Sequence, residues 1–238
     1  MANLTKHFRN KRGNIAIISV FVVLALFIFV ATHYGTKTLS AVRAYVGAEG
    51  QWTKAQKEAT SLLIRYTVKE QPQFYKQFHK ELELHKAFKT TRQTLVSDNP
   101  DYDLAFKGFQ TADIHPDDIN LLIWLAKFHE DISYLQQAFD IWKKGNQKIA
   151  ELDSLGRVIH QTIQEDRFDS DTRNLFIRDI STIDARLTEL ESSFSATMAD
   201  GARWIRTVLF WSIIGLGIII ISLQGISLPA VILGISVV

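Results

Sequence analysis

The chain has no cysteine among its 238 residues. Disulfides and thiolate chemistry are thereby excluded, and bridges give no reading of the redox compartment. It has only four prolines, and none lies between Thr172 and Leu228. No acid occurs before Glu49, and no charged residue follows Arg206. No stretch alternates apolar and polar residues for more than a few positions, which removes the usual signature of strands. Gly-x-Ser-x-Gly, a Walker loop and a glycine fingerprint are all missing, so nucleophilic and nucleotide-dependent catalysis find no footing. No catalytic residue, cofactor or metal is expected from these residues.

What remains is helical pattern and uneven charge. Lys6, Arg9, Lys11 and Arg12 crowd the start. The 27 Lys and Arg less these four leave 23 against 25 Asp and Glu, so the rest of the chain is near −2. The net +2 belongs to the amino-terminal tail, and a nucleic-acid partner, which needs a basic face on a domain, is not expected. Ile15 to Ala31 is apolar except for Ser19. With Thr32 to Tyr34 it reaches the length that crosses about 30 Å of hydrocarbon. A cleaved signal peptide competes with a membrane anchor. Against cleavage, the core exceeds the usual ~7–15 residues and no small-x-small pair follows it. The cations before it put the amino terminus in the cytoplasm.

The stretch from Thr172 to Leu223 organises the remainder. Phe176, Ile180, Ile183, Leu187, Leu190, Phe194 and Met198 recur at steps of four and three, the seam of a helix packed at a shallow angle. The apolar run Thr207 to Leu223 continues it without proline. At about 1.5 Å per residue the whole is a rod of roughly 75 Å, expected to act as a signal-transmitting stem. Trp204 and Trp211 flank the second span as interface anchors. Gly215 and Gly217 offer close helix contact there, though not at dimer-motif spacing. Pro229 breaks the apolar run, and Ala230 to Val238 is too short to cross alone. The simplest expectation is a chain cut off before a cytoplasmic part.

Between the spans three more patterns appear. Ala41, Tyr45, Ala48, Trp52, Ala55, Ala59, Leu62 and Tyr66 form a second seam, with Gly47 and Gly50 marking close approach or an irregularity near Trp52. Gln71-Pro72 ends that helix. Phe74, Phe78, Leu82, His85 and Phe88 suggest another, closing near Val96. Ser97 to Asp101 is turn chemistry, and Leu104 to Phe109 a short helix. His115-Pro116-Asp117-Asp118 starts a helix with proline first and acids at its positive end. Its apolar face is expected at Ile119, Leu122, Ile123, Ala126 and Ile132. Leu135, Ala138, Trp142, Gly145, Ile149, Leu152, Gly156, Ile159 and Ile163 make the third long seam. Asp166 to Asp171 is a polar turn and cap.

The fold class is therefore all-α: two transmembrane helices flank a four-helix-bundle-like domain with extra short helices. The expected division is a basic cytoplasmic tail at 1–13, a span at 14–34, a periplasmic sensor domain at 35–204, a second span at 205–224 and the start of a linker at 225–238.

This layout resembles the input half of bacterial transmembrane receptors: chemoreceptors, sensor histidine kinases and membrane-bound diguanylate cyclases. Arg43 to Lys57 looks like the first helix of a sensor module that often precedes cyclase domains, and Gly108-Phe109 and His115 to Ile119 look like its middle segment. Ile226 to Pro229 is similar in position and proline to the start of a HAMP linker but lacks the usual arginines. No cyclase Gly-Gly-Asp/Glu-Glu-Phe motif, phosphoacceptor-histidine box or kinase ATP site occurs. The resemblance implies a bacterial inner-membrane receptor module, acting as a homodimer that feeds an output domain absent from these residues. The alternative is a two-span scaffold of an envelope complex.

Arg43, Trp52, Lys54 and Lys57 cluster on one helix, with Trp142 opposite, and could hold a small anionic ligand by charge against an indole wall. Packing is the reading that aromatics at helical spacing favour, with the cations a solvated face. His115, Asp117 and Asp118 offer metal-ligand chemistry, but helix capping accounts for the same residues. His79, His85, His129 and His160 show no ligand spacing.

Overall fold

In a computed structural model the chain forms six α-helices, with no strand among the described residues. The structure describes residues 18–165 and 167–222 in full, and residues 2–17 and 223–235 as helical backbone alone. The helices are α1 (Ala2–Lys69), α2 (Pro72–Leu95), α3 (Tyr102–Gln110), α4 (Pro116–Ala126), α5 (Ser133–Gln164) and α6 (Ser170–Ile235). The chain divides into two compact units. One is Met1–Lys37 with Arg203–Val238, and the other is Thr38–Ala202.

Helix ends follow local chemistry. Helix α1 closes at Lys69, before the restriction that Pro72 places on Gln71. Glu70 takes a left-handed φ of 58°, a conformation disfavoured for any residue with a Cβ. Its carboxylate is paired at 2.7 Å with Arg173 near the start of α6. Asp101 caps α3 by accepting from the Leu104 N–H at 2.8 Å, satisfying one of the first turn's orphan donors. Helix α4 begins as expected, with Pro116 first and Asp117 and Asp118 in its opening turn. Asp169 caps α6 through the Thr172 N–H at 2.8 Å. One placement differs from expectation. Helix α4 stops at Ala126, so Ile132 is not on its apolar face but precedes α5.

In the 38–202 unit, α1, α2, α5 and α6 build a four-helix core, with α3 and α4 as the elaborated connection. The first seam is buried throughout, from Ala41 and Ala59 to Tyr66. Tyr66 Oη meets His160 Nδ1 at 2.6 Å, joining α1 to α5. The Tyr75 and His160 rings stack at 4.2 Å, joining α2 to α5. Tyr45 reaches α4, donating to the Leu122 carbonyl at 3.0 Å. Glycines set the closest approaches. A Cβ on Gly156 of α5 would lie 2.6 Å from Phe78 Cε1, and one on Gly201 would lie 3.2 Å from Tyr134 Cβ. Gly108 is pressed against Thr91 and the Ala87 carbonyl. Gly47 and Gly50 do neither thing expected of them. They lie in unbroken helix and face open space.

The other unit pairs the apolar ends of α1 and α6, both long and apolar enough to cross a membrane. Their large side chains are bare: Phe29 and Ile221 are each 69% exposed. A core helix of a water-soluble domain would bury such residues, so these faces suit lipid. Gly35 is the close-contact glycine, pressed against Leu209. Gly215 and Gly217, expected to allow helix contact, have nothing within 4 Å. Helix α6 also runs on through Pro229, where a break was expected. One missing donor is tolerated in apolar helices of this kind.

Candidate functional site

Trp52 of α1 and Trp142 of α5 line a single cavity of about 50 Å³. Gly145 makes room for the indole: a Cβ there would already touch Trp52 Cζ2 at 3.6 Å. Phe88 and Phe109 pack edge-on and tilted against Trp142 at 6.1 and 6.3 Å, and Phe194 closes the α6 side. The wall is thus aromatic and largely dry.

The expected cations do not line it. Arg43 and Lys54 are exposed on α1. Lys57 turns to α6, bonding Asp184 at 2.9 Å and Thr188 at 2.5 Å. The charged side chains that do border the cavity are Glu49 and Glu191. An aromatic space edged by carboxylates does not attract an anion. The five-residue anion site therefore reduces to its two tryptophans, because helical periodicity turns positions 43, 54 and 57 away from position 52.

Lys57 and Glu49 serve a different arrangement, a polar border along the α1–α6 contact. Asp184 Oδ1 accepts from both Gln56 Nε2 at 2.6 Å and Lys57 Nζ. Glu49 accepts from Thr53 at 2.8 Å within α1 and from Ser195 at 3.1 Å across to α6. Glu70–Arg173 closes the far end. Between these pairs runs the stem seam. Phe176, Ile180, Leu187, Phe194 and Met198 are buried, and Ile183 and Leu190 are half-buried. Leu190 borders the aromatic cavity. The seam is filled by the chain's own helices, so two copies could not also meet through it. Glu191 is buried beside it with Oε1 unpaired. Burial pushes its carboxyl upward, Lys57 opposes this, and Glu49 and Asp184 add to it.

Against Trp52 stands His85 of α2, edge to face at 4.7 Å. The ring is 1% exposed and neither nitrogen makes a hydrogen bond of good geometry, although the Ala55 backbone lies close to it. Burial lowers its pKa to about 3, an effect the nearby Ala55 carbonyl only partly opposes. It is a neutral imidazole at ordinary pH. Its place on the α2 apolar face was legible, but its isolation was not. Asn146, also buried and unpaired, escaped notice. Its only sequence signal is adjacency to the seam residue Gly145.

His115 caps α4, accepting the Asp117 N–H at 3.2 Å. Among the described residues no three His, Asp or Glu side chains gather as a metal site. Comparison of the chain with family models, with curated proteins and with solved structures finds no match in any of the three.

Proposed function

We propose that the chain is the input module of a membrane receptor, sensing an extracytoplasmic cue and passing it along α6 to a cytoplasmic output domain. The observation that carries this reading is α6 itself. Its backbone is helical at every residue from Ser170 to Ile235, with no interruption at 199–206. In the 38–202 unit this helix contributes a buried seam with a polar border. In the other unit the same helix presents bare apolar side chains. A change of register of an ångström or two against α1 is the scale on which packed helices switch between discrete arrangements. In this reading residues 35–204 are periplasmic and both ends of the chain cytoplasmic, in a bacterial inner membrane. The receptor works as a homodimer whose copies meet through faces other than the stem seam.

The test is an insertion scan. The chain is joined at Leu223 to a histidine-kinase output domain, and one to seven alanines are added between Ala199 and Arg206. A receptor gives output that rises and falls with a helical period of about 3.6 residues, and a four-glycine insertion abolishes the response. A scaffold gives an output indifferent to every insertion.

A further inference from the structure

The aromatic cavity has a half-buried rim, formed by Glu49 of α1, Ile141 and Trp142 of α5 and Leu190 of α6, while the rest of its lining is buried. A small guest enters there. The volume of about 50 Å³ is several times the roughly 10–15 Å³ that one water requires, which leaves room for about four or five non-hydrogen atoms. Phe88 stands at 86° to Phe109 and at 62° to Trp142. Rings at such angles enclose a box rather than a stack.

The polar atoms along this wall are engaged or closed off. Tyr45 gives its hydroxyl to the Leu122 carbonyl at 3.0 Å. Glu49 accepts from Thr53 and from Ser195. Trp52 Nε1 and Glu191 Oε1 are buried away from solvent. What faces the space is almost wholly ring and aliphatic surface. A guest bearing N–H or O–H groups would lose its bonds to water there and gain none. The charge of the surroundings is nonetheless one-sided. Glu49 and Glu191 both border the cavity, and among the described residues no Lys or Arg lines it. A carboxylate's field crosses a few ångströms of apolar interior without contact, and aromatic ring faces attract the same sign of charge. Burial pushes the Glu191 carboxyl up; a cation alongside would draw it back toward its ionised form.

We propose that this cavity binds a quaternary ammonium group through its aromatic walls and the field of Glu49 and Glu191. A nitrogen wrapped in methyl groups matches the volume, carries the charge that the rings and carboxylates favour, and has no N–H to leave unmet. The same lining turns away an anion by charge and a primary amine by its stranded donors. A free choline-like molecule and a lipid headgroup share this chemistry. Leu190 belongs to the stem seam and to the rim, so a guest seated there touches α6 as well as α1 and α5. That the guest is the cue rests on the receptor reading; binding does not.

The experiment is titration calorimetry on the full chain in maltoside micelles, whose headgroups hold no quaternary nitrogen. The probes are tetramethylammonium and choline. Two relatives of choline dissect the site: 3,3-dimethylbutan-1-ol keeps the shape without the charge, and ethanolamine keeps the charge but carries N–H groups. At least one quaternary probe binds at millimolar concentration or below, and each relative is weaker than choline by about tenfold or more. Glu49→Gln combined with Glu191→Gln removes both charges at constant shape, since the Thr53 and Ser195 hydroxyls accept as well as donate. This pair of changes weakens choline by about tenfold and leaves the uncharged relative alone. Leu190→Trp, at the half-buried rim, blocks the entrance and abolishes binding. No heat from either quaternary probe at millimolar concentration overturns the proposal. So does the uncharged relative binding as tightly as choline, a comparison that needs no variant, or choline binding unmoved by either variant. Choline that binds in phosphatidylglycerol nanodiscs but is shut out in phosphatidylcholine ones upholds the site with a lipid headgroup as its guest; equal binding in both upholds it with a free molecule. Binding with no insertion-scan response upholds the site and removes the receptor reading. A periodic scan with no binding does the reverse.

Discussion

Two regions of the molecule use the same two helices in opposite ways. From Thr38 to Lys69 of α1, and from Ser170 to Ala202 of α6, large apolar side chains point inward: Tyr66, Ile180 and Leu187 are wholly buried. From Ile18 to Tyr34 of α1, and from Val208 to Ile221 of α6, residues of the same chemistry are bare, Phe29 and Ile221 among them. The helices do not change between the regions; their polar neighbours do. Where Gln56, Lys57, Asp184 and Ser195 border the contact, water is the solvent on the outer face. Where no such residues occur, hydrocarbon is the solvent that fits. The contrast shows that burial is earned against a particular medium, and apolar content by itself does not reveal which.

The sharpest break in this comparison comes from trimming equivalent side chains on the two sides. Leu187→Ala leaves a hole in a packed core and should cost about 2–5 kcal/mol. Ile221→Ala removes no protein contact of that kind and should fall within about 0.5 kcal/mol. Thermal unfolding of the full chain in one detergent measures both. Equal losses would mean that the apolar pair has a packed core of its own.

Acid acts on the bundle through His85. Its folded pKa, lowered by burial to about 3 from 6.5, means the unfolded chain binds the extra proton first. The stability this provides is complete above pH 6.5 and is lost as pH falls toward 3, a matter of a few kcal/mol. His85→Phe should flatten that part of the stability–pH curve. A curve that stays equally steep in the variant would show His85 to be reached by water. Glu191 has the opposite sign. Its carboxyl pKa is raised, so its contribution is fullest at low pH and fades as pH rises from about 4.5 toward the raised value.

Glycine substitutions sharpen the comparison further. Gly156→Ala drives a methyl to 2.6 Å from Phe78 Cε1 and should cost about 1–3 kcal/mol by overpacking. Gly47→Ala, facing open space in mid-helix, should instead stabilise by about 0.4–1 kcal/mol. The smallest effect is expected at Lys57–Asp184. The pair is bonded at 2.9 Å but partly exposed, so a double-mutant cycle should give about 0.2–1 kcal/mol. A larger coupling would make the polar border a principal source of stability.

The seams were readable because burial in a helix repeats with the helix. Ala41 to Tyr66 and Phe176 to Met198 needed nothing more than steps of three and four. Caps were readable too, since Pro116, Asp117 and Asp118 act within one turn. Glycine contacts were not. Gly47, Gly50, Gly215 and Gly217 looked like approach points, but Gly35, Gly108, Gly145, Gly156 and Gly201 are the ones that touch. Which glycine is needed depends on what the opposite helix carries there, and for Gly156 that is Phe78, distant in sequence. The cations of the candidate site lie off the cavity for a related reason. Arg43, Lys54 and Lys57 are close to Trp52 in sequence yet face other ways on the helix. Glu49 and Glu191 come from separate helices, and only packing brings them to one cavity.

The account stands most heavily on α6 being a single helix across the division between the two units. Hydrogen exchange on the full chain in lipid nanodiscs reads this directly at the amides of residues 199–206. The account predicts protection there continuous with that at Leu187 and Phe194 on one side and Leu209 on the other. Exchange at those eight amides as fast as in an unstructured peptide would contradict it.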